Sequence, residues 1–146
     1  MSREQELLDI VRTLMRVMLV SERTPPDHQH EMRYNALDFQ VIGLVRGKPG
    51  IHVTEIVQQL GIAPTTASSV IGRLVERDVL SRARSAEDRR AYALSLTEEG
   101  QMIADTIHGQ DLRNMALFLS TLAPDEQAEL IRLLGKVSDR VSALER

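Results

Sequence analysis

Cysteine is absent from all 146 residues. That excludes a disulfide framework, thiol catalysis, a cysteine-ligated metal and a thiol-based redox sensor. Aromatic residues are almost as scarce, with only Tyr34, Phe39, Tyr92 and Phe118. A large β-sandwich core usually leans on more of them. No long hydrophobic run exists: the longest unbroken apolar stretch is Met115–Leu119, too short to span a bilayer. The first residues carry Glu4, Glu6 and Asp9 and no signal-peptide core, so the expected compartment is the cytoplasm. Net charge is −3, which by itself argues weakly against a nucleic-acid partner. The cations are 16 arginines and only two lysines, Lys48 and Lys136, so where the arginines fall matters more than the total.

What is present is ordinary for a globular domain: 42% hydrophobic and 27% charged residues. A chain of this length buries roughly 70% of its unfolded surface and needs no covalent staples. The apolar residues are mainly Leu, Val, Ile, Ala and Met at helical spacing. The five prolines, at 25, 26, 49, 64 and 124, all fall outside the periodic segments. The pattern predicts a mainly α fold with a small antiparallel wing of two or three strands.

A first helix is expected over 3–21, opened by a Ser2/Gln5 capping box and striped by Leu7, Val11, Leu14 and Met18. A polar loop follows over 22–34. Asn35 is expected to cap a helix that ends at Gly47. Residues 51–53 form a short strand, and Thr54 caps a short helix over 55–60 closed by Gly61. Pro64 opens the next helix at its first position, and that helix runs to about Asp78. Strands are expected at about 80–84 and 91–96, the second alternating Tyr92, Leu94 and Leu96 with small residues. Thr97 caps a long helix to about Leu119, and Pro124 starts the last one, with Leu130, Leu134, Val137, Val141 and Leu144 at coiled-coil-like spacing.

Function is concentrated in 54–96: helix, tight turn, helix, hairpin. At about 100° per residue, the helix from Pro64 gathers Ala67, Val70, Ile71, Leu74 and Val75 on one side. Thr65, Thr66, Ser68, Ser69, Gly72, Arg73 and Arg77 gather on the other. Short hydroxyl side chains let a helix approach base edges closely, and arginine forks onto guanine or phosphate. Gly72 costs about 1 kcal/mol of helix propensity, and close approach of another backbone, protein or DNA, would explain keeping it. On this face alone two readings stand, a groove-reading surface and an ordinary solvent-covered one.

The hairpin tips the balance. Arg82, Arg84, Arg89 and Arg90 outnumber Glu87 and Asp88, a local charge of +2 in an acidic chain. Such a tip can reach phosphates or a narrow minor groove. Asp88 stands two residues before Arg90, where a carboxylate can hold a guanidinium. The alternative for this Asp-Arg-Arg tip is a solvated turn whose surface ion pairs contribute little.

The segment from Val53 to Gly100 resembles the winged helix-turn-helix of the MarR family of bacterial transcription regulators. Its most specific part is Asp88-Arg89-Arg90 followed by Leu94, Leu96, Thr97 and Gly100, matching a D-R-R…L-x-L-T-x-x-G signature. The likeness is strong over 54–100 and extends by pattern over most of the chain. It implies a homodimer whose N- and C-terminal helices (1–34 and 101–146) dimerise and whose winged lobes (35–100) bind a roughly palindromic operator on double-stranded DNA. It further implies that Pro64–Arg73 is the recognition helix, that Asp88 buttresses the wing, and that Arg90 enters the minor groove. Pro64, Thr65, Thr66, Ser68, Ser69, Arg73 and Arg77 on the helix, with Arg84, Asp88, Arg89 and Arg90 on the wing, are therefore the expected DNA contacts. The most direct role is a repressor that blocks promoter access. Three positions depart from the family pattern. Ala63 and Ala123 lack a capping hydroxyl, and Asp78 stands where glycine is common.

In that family, phenolic or lipophilic small molecules bind between dimer domain and lobe. Arg16, His30 and Tyr34 are the polar groups expected near such a cleft, unless they are ordinary surface residues. His28, His30 and Glu31, with His52 and His108, offer sparse metal ligands, and no metal or other cofactor is expected. No G-x-S-x-G, Walker loop, nucleotide fingerprint or carboxylate pair points to an enzyme. Two rivals remain: a winged-helix protein-interaction module that does not bind DNA, and a metal-responsive regulator.

Overall fold

The computed structural model describes residues 1–19 and 34–144. Its elements run α1 (Arg3–Leu19), α2 (Ala36–Gly47), β1 (Ile51–His52), α3 (Val53–Leu60), α4 (Pro64–Glu76), β2 (Leu80–Arg84), β3 (Tyr92–Leu96), α5 (Glu98–Ser120) and α6 (Pro124–Leu144). The end of the first helix expected at 20–21, and the loop expected over 22–33, lie outside the described residues. The chain divides into two compact units, Gln29–Gly109 and Met1–His28 with Gln110–Arg146, so the long α5 contributes to both.

The first of these is a winged lobe. Its three-stranded antiparallel sheet has the order β1-β3-β2. Ile51 pairs with Leu94, and Leu80, Arg82 and Arg84 pair with Leu96, Leu94 and Tyr92. Paired residues share a face. At the base of the sheet that face buries Ile51, Leu80 and Leu94, and at the tip it presents Arg82, Arg84 and Tyr92. The core joins it to Val41, Ile42 and Val45 of α2, Ile56 of α3, and Ala67, Val70, Ile71 and Leu74 of α4. Ile103 and Ala104 of α5 complete it. The apolar face expected of the helix from Pro64 is thus the buried one.

Helix ends explain the local geometry. Asn35 caps α2 in a full capping box: its side chain accepts from Asp38 N–H and the Asp38 carboxylate accepts from Asn35 N–H, both at 2.9 Å. The expected Thr54 cap is corrected. The chain enters α3 directly from β1, with His52 at the N-cap and Thr54 inside the first turn. Gly61 closes α3 in the left-handed conformation at φ 62°, making the tight turn into α4. Asp78 does the same after α4 at φ 61°. There Val79 N–H bonds Leu74 C=O at 2.9 Å and Asp78 N–H bonds Val75 C=O at 3.0 Å, a Schellman closure without glycine.

The Thr97–Gly100 motif has a steric cause. Thr97 Oγ1 accepts from Gly100 N–H at 2.9 Å, capping α5 as expected, and donates to the Asp78 carbonyl. A Cβ on Gly100 would lie 2.0 Å from the Val79 carbonyl oxygen, so no side chain fits.

The described elements of the second unit are helices. Ser2 Oγ accepts from Gln5 N–H at 3.1 Å, the serine half of the expected box, while the Gln5 side-chain N–H donates to Asp9. At the start of α6, Glu126 accepts from Ala123 N–H at 2.9 Å, the reciprocal half of a capping box whose hydroxyl half Ala123 cannot supply. No residue of α6 is buried, and Leu134, Val137 and Val141 stand exposed.

Candidate nucleic-acid interface

Pro64, Thr65, Thr66, Ser68 and Ser69 are all exposed at the N-terminal half of α4. Ala63 precedes Pro64 without a side-chain cap, so the first turn of α4 keeps unsatisfied backbone N–H groups beside these hydroxyls. Oriented N–H groups and the helix dipole favour a phosphate there. Gly72 lies on the same side, and a Cβ added to it would meet nothing within 4 Å. Within the described chain, then, no neighbour demands a glycine here.

Arg73 behaves differently from the expectation of a free base reader. Its Nη2 donates to the Asp38 carboxylate, which is 1% exposed, while the arginine side chain stays 36% exposed. The guanidinium is therefore anchored at one edge, tying α4 to the capping box of α2. Arg77, at the C-cap of α4, lies over the Tyr34 ring at 5.3 Å. Tyr34 in turn meets Phe39 edge-on at 6.3 Å.

The wing is built around Tyr92. Arg84 pairs directly opposite it and Arg82 lies diagonally, with guanidinium carbons 5.6 and 5.7 Å from the ring centroid. The aromatic face thus holds two like charges side by side and limits their swing. Arg84 also donates to the Arg89 carbonyl at 2.8 Å, which fixes the turn backbone. Asp88 accepts from the backbone N–H of Arg90 at 2.9 Å, and this corrects the expected guanidinium contact. It is an Asx-type turn, in which a short carboxylate reaches the main chain two residues on more readily than a long side chain. Arg89 and Arg90 are both exposed.

Inside the turn, Ser85 is buried. Its Oγ accepts from Glu87 N–H at 3.2 Å and Asp88 N–H at 3.4 Å, and lies 3.1 Å from His52 Nε2. Below it, Glu55 pairs with Lys48 at 2.6 Å. That hydrogen bond, reinforced by the backbone N–H of His52, holds the Glu55 carboxyl below the ordinary carboxylate range.

Helix and wing meet at an open cleft of about 220 Å³. Ser68 and Ile71 of α4, Thr54 of α3, and Arg82, Arg90 and Tyr92 of the wing all line it. The structure therefore brings Ser68 of the hydroxyl face beside Arg82 and Arg90 of the wing, while Thr65, Thr66, Ser69, Arg84 and Arg89 do not line this cleft. Arg82, Thr54, Ser85 and His52 are additions to the expected set. Arg82 was legible as one of the tip arginines, whereas the other three carry no sequence signal.

The remaining expected residues do not form a described site. Arg16, on α1 of the helical unit, donates to Thr13 at 3.3 Å. Tyr34 belongs to the lobe, and His30 lies outside the described residues, as do His28 and Glu31. Among the described residues no group of three or more His, Asp or Glu is placed to hold a metal ion. Nor is any helix among them long and apolar enough to cross a membrane.

Comparison with known proteins agrees with this geometry. A MarR family sequence profile matches residues 34–91. The transcriptional regulator PecS of Dickeya dadantii is 29% identical over 131 residues, covering 88% of this chain and 79% of that protein. PcaV of Streptomyces coelicolor, solved with its natural ligand, is 26% identical with a TM-score of 0.64, covering 93% of this chain and 89% of that one. FabT of Streptococcus pneumoniae, solved with DNA, shares the fold at a TM-score of 0.83 and 17% identity, covering 97% and 96%. Winged lobe, signature residues and relatives agree in their likeness to the MarR family, whose profile covers the lobe over residues 34–91.

Proposed function

We propose that the chain is a homodimeric, sequence-specific DNA-binding transcriptional regulator, a repressor that occupies a palindromic operator and leaves it when a small molecule binds. The observation that carries this reading is the shared cleft, bordered on one side by Ser68 of the hydroxyl face of α4 and on the other by Arg82 and Arg90 of the wing. Thr65, Thr66, Ser68 and Ser69 enter a major groove, where short side chains permit close approach to base edges. Arg82, Arg84, Arg89 and Arg90 take phosphates and the adjacent minor groove. Arg77 adds a backbone contact. Arg73, steadied by Asp38, offers its remaining N–H groups from a fixed position.

Dimerisation is assigned to 1–34 and 101–146 and DNA binding to 35–100. The exposed apolar faces of α1 and α6 support this assignment, because a second copy would cover them. A dimer seated on a promoter represses by occupying it. An effector of phenolic or lipophilic character releases it by binding more tightly to one lobe spacing than to the other. PcaV, solved in complex with its natural ligand, supports the presence of an effector. The protein works where DNA is, in the cytoplasm, and the reading assigns it no reaction.

Selection of bound fragments from random duplexes tests this. The expected product is an inverted repeat with half-sites centred about one helical turn, roughly 10 bp, apart. Its affinity should fall steeply with salt as phosphate contacts release counterions. No enrichment, or a flat salt response, sinks the reading in favour of a protein-interaction module.

A further inference from the structure

The wing turn is held at its root by a histidine that lies outside it in sequence. Ser85 is 6% exposed, although its neighbours on both sides are exposed. A hydroxyl has one proton and two lone pairs. The lone pairs of Ser85 Oγ receive Glu87 N–H and Asp88 N–H, so its proton is left for His52 Nε2. That network assigns the acceptor role to the imidazole, neutral with its own proton on Nδ1.

We propose that His52, acting through Ser85, is a positioning residue for the wing and holds Arg90 in its DNA-binding place only while the imidazole is neutral. This rests on the operator-binding reading above. A protonated imidazole carries N–H on both nitrogens and accepts nothing. Its Nε2–H then points at an oxygen whose lone pairs are taken, and the Ser85 proton loses its acceptor in a buried position. The longer bond, from Asp88 N–H at 3.4 Å, is the one to yield. Asp88 is also the residue whose carboxylate accepts from Arg90 N–H, so its release unseats Arg90.

The charged surroundings of His52 are these. Glu55 on α3 accepts from its backbone N–H and is bound by Lys48 from the end of α2. That hydrogen bond keeps Glu55 ionised through the neutral range. Arg84, Glu87 and Asp88 adjoin Ser85 on the wing side, β3 opposes His52 with the uncharged Ala93, and α4 commits Arg73 to Asp38.

The test follows the ¹⁵N-labelled full chain by NMR from about pH 8 to about pH 5.5, above the range where ordinary carboxylates titrate. The backbone amides of Glu87, Asp88 and Arg90 are expected to shift with the same midpoint as the His52 ring. His52→Gln offers an amide oxygen to Ser85 without titrating, and should abolish the shift while keeping the high-pH positions. Ser85→Ala should uncouple the amides from a ring that still titrates. Wing amides indifferent to the His52 midpoint, or equally responsive in His52→Gln, overturn the proposal whether or not the protein binds DNA. On a selected duplex, the loss of affinity caused by Arg90→Ala should shrink from about tenfold at the higher pH to about threefold or less at the lower. In the His52→Gln background it should stay about tenfold at both. A penalty that is constant with pH in the parent also contradicts the proposal, while absence of all DNA binding refutes the operator reading and leaves the NMR result to judge the wing.

Discussion

The winged lobe and the terminal helices dispose of their apolar residues in opposite ways. Among the described residues of the lobe, Tyr92 and Met102 are the only large hydrophobics that stand exposed, and Tyr92 is occupied by two arginines. Its buried core closes within one chain, from Val41 of α2 to Ala104 of α5. The helical unit does the reverse. Leu7, Ile10, Val11, Leu14 and Met15 of α1 are exposed, as are Ile131, Leu134, Val137 and Val141 of α6. The lobe closes its own core and carries the groups proposed to face DNA. The helices leave apolar faces uncovered, as the proposed interface with a second copy requires.

The sharpest way to break this contrast is Leu134→Glu. Burying a leucine contributes about 1.5–3 kcal/mol and a two-fold interface loses it twice, so dimerisation should weaken by about 3–6 kcal/mol. Sedimentation equilibrium reads this, and an unchanged dimer would mean that α6 does not supply the interface. Gly100→Ala strikes the lobe instead. Its new methyl would sit 2.0 Å from the Val79 carbonyl oxygen. The backbone has to move, at a cost of about 1–3 kcal/mol in denaturant unfolding. A variant as stable as the parent would refute that packing.

Arg90→Ala separates function from both kinds of stability. Operator affinity should drop by about 1–3 kcal/mol in a gel shift, with unfolding midpoint and dimer constant unmoved. Gly72→Ala is subtler. No atom of the described chain opposes the methyl, so the lobe should gain up to about 1 kcal/mol of helix stability. Operator binding should nonetheless weaken, because the glycine lies on the face proposed to enter the groove. Stabilisation with unaltered affinity would remove Gly72 from the interface. The smallest effect is electrostatic. The Glu55 carboxyl is held low by Lys48, so its contribution is present above the ordinary carboxylate pKa and lost as pH falls through the lowered value. Glu55→Gln should flatten that part of an acid unfolding curve followed by circular dichroism, and only slightly, because solvent reaches both Glu55 and Lys48.

Local rules were legible in the sequence and long-range partners were not. Asn35, Gly61, Pro64 and Thr97 announce helix ends through chemistry confined to a few residues, and the structure puts each at the end expected. The hydroxyl face of α4 follows from helical period alone. Thr54 misled because a capping residue type one step inside the helix looks the same as a cap when the strand runs straight into it. Asp38 reads only as an acid in a first turn, because its partner Arg73 is 35 residues away. Ser85 and His52 are 33 apart and carry no shared pattern. Gly100 could be recognised as part of a signature, but its reason, the carbonyl of Val79, appears only when β2 is laid beside α5.

The central claim is that two copies of this chain sit together on one duplex, each through α4 and its wing. Native mass spectrometry of the protein mixed with a selected operator counts the chains directly. The expected spectrum is one dominant complex of two chains per duplex, with half-saturation at about tenfold higher protein for Arg90→Ala across a titration. A complex with a single chain, or an Arg90→Ala titration that overlays the parent's, overturns the claim.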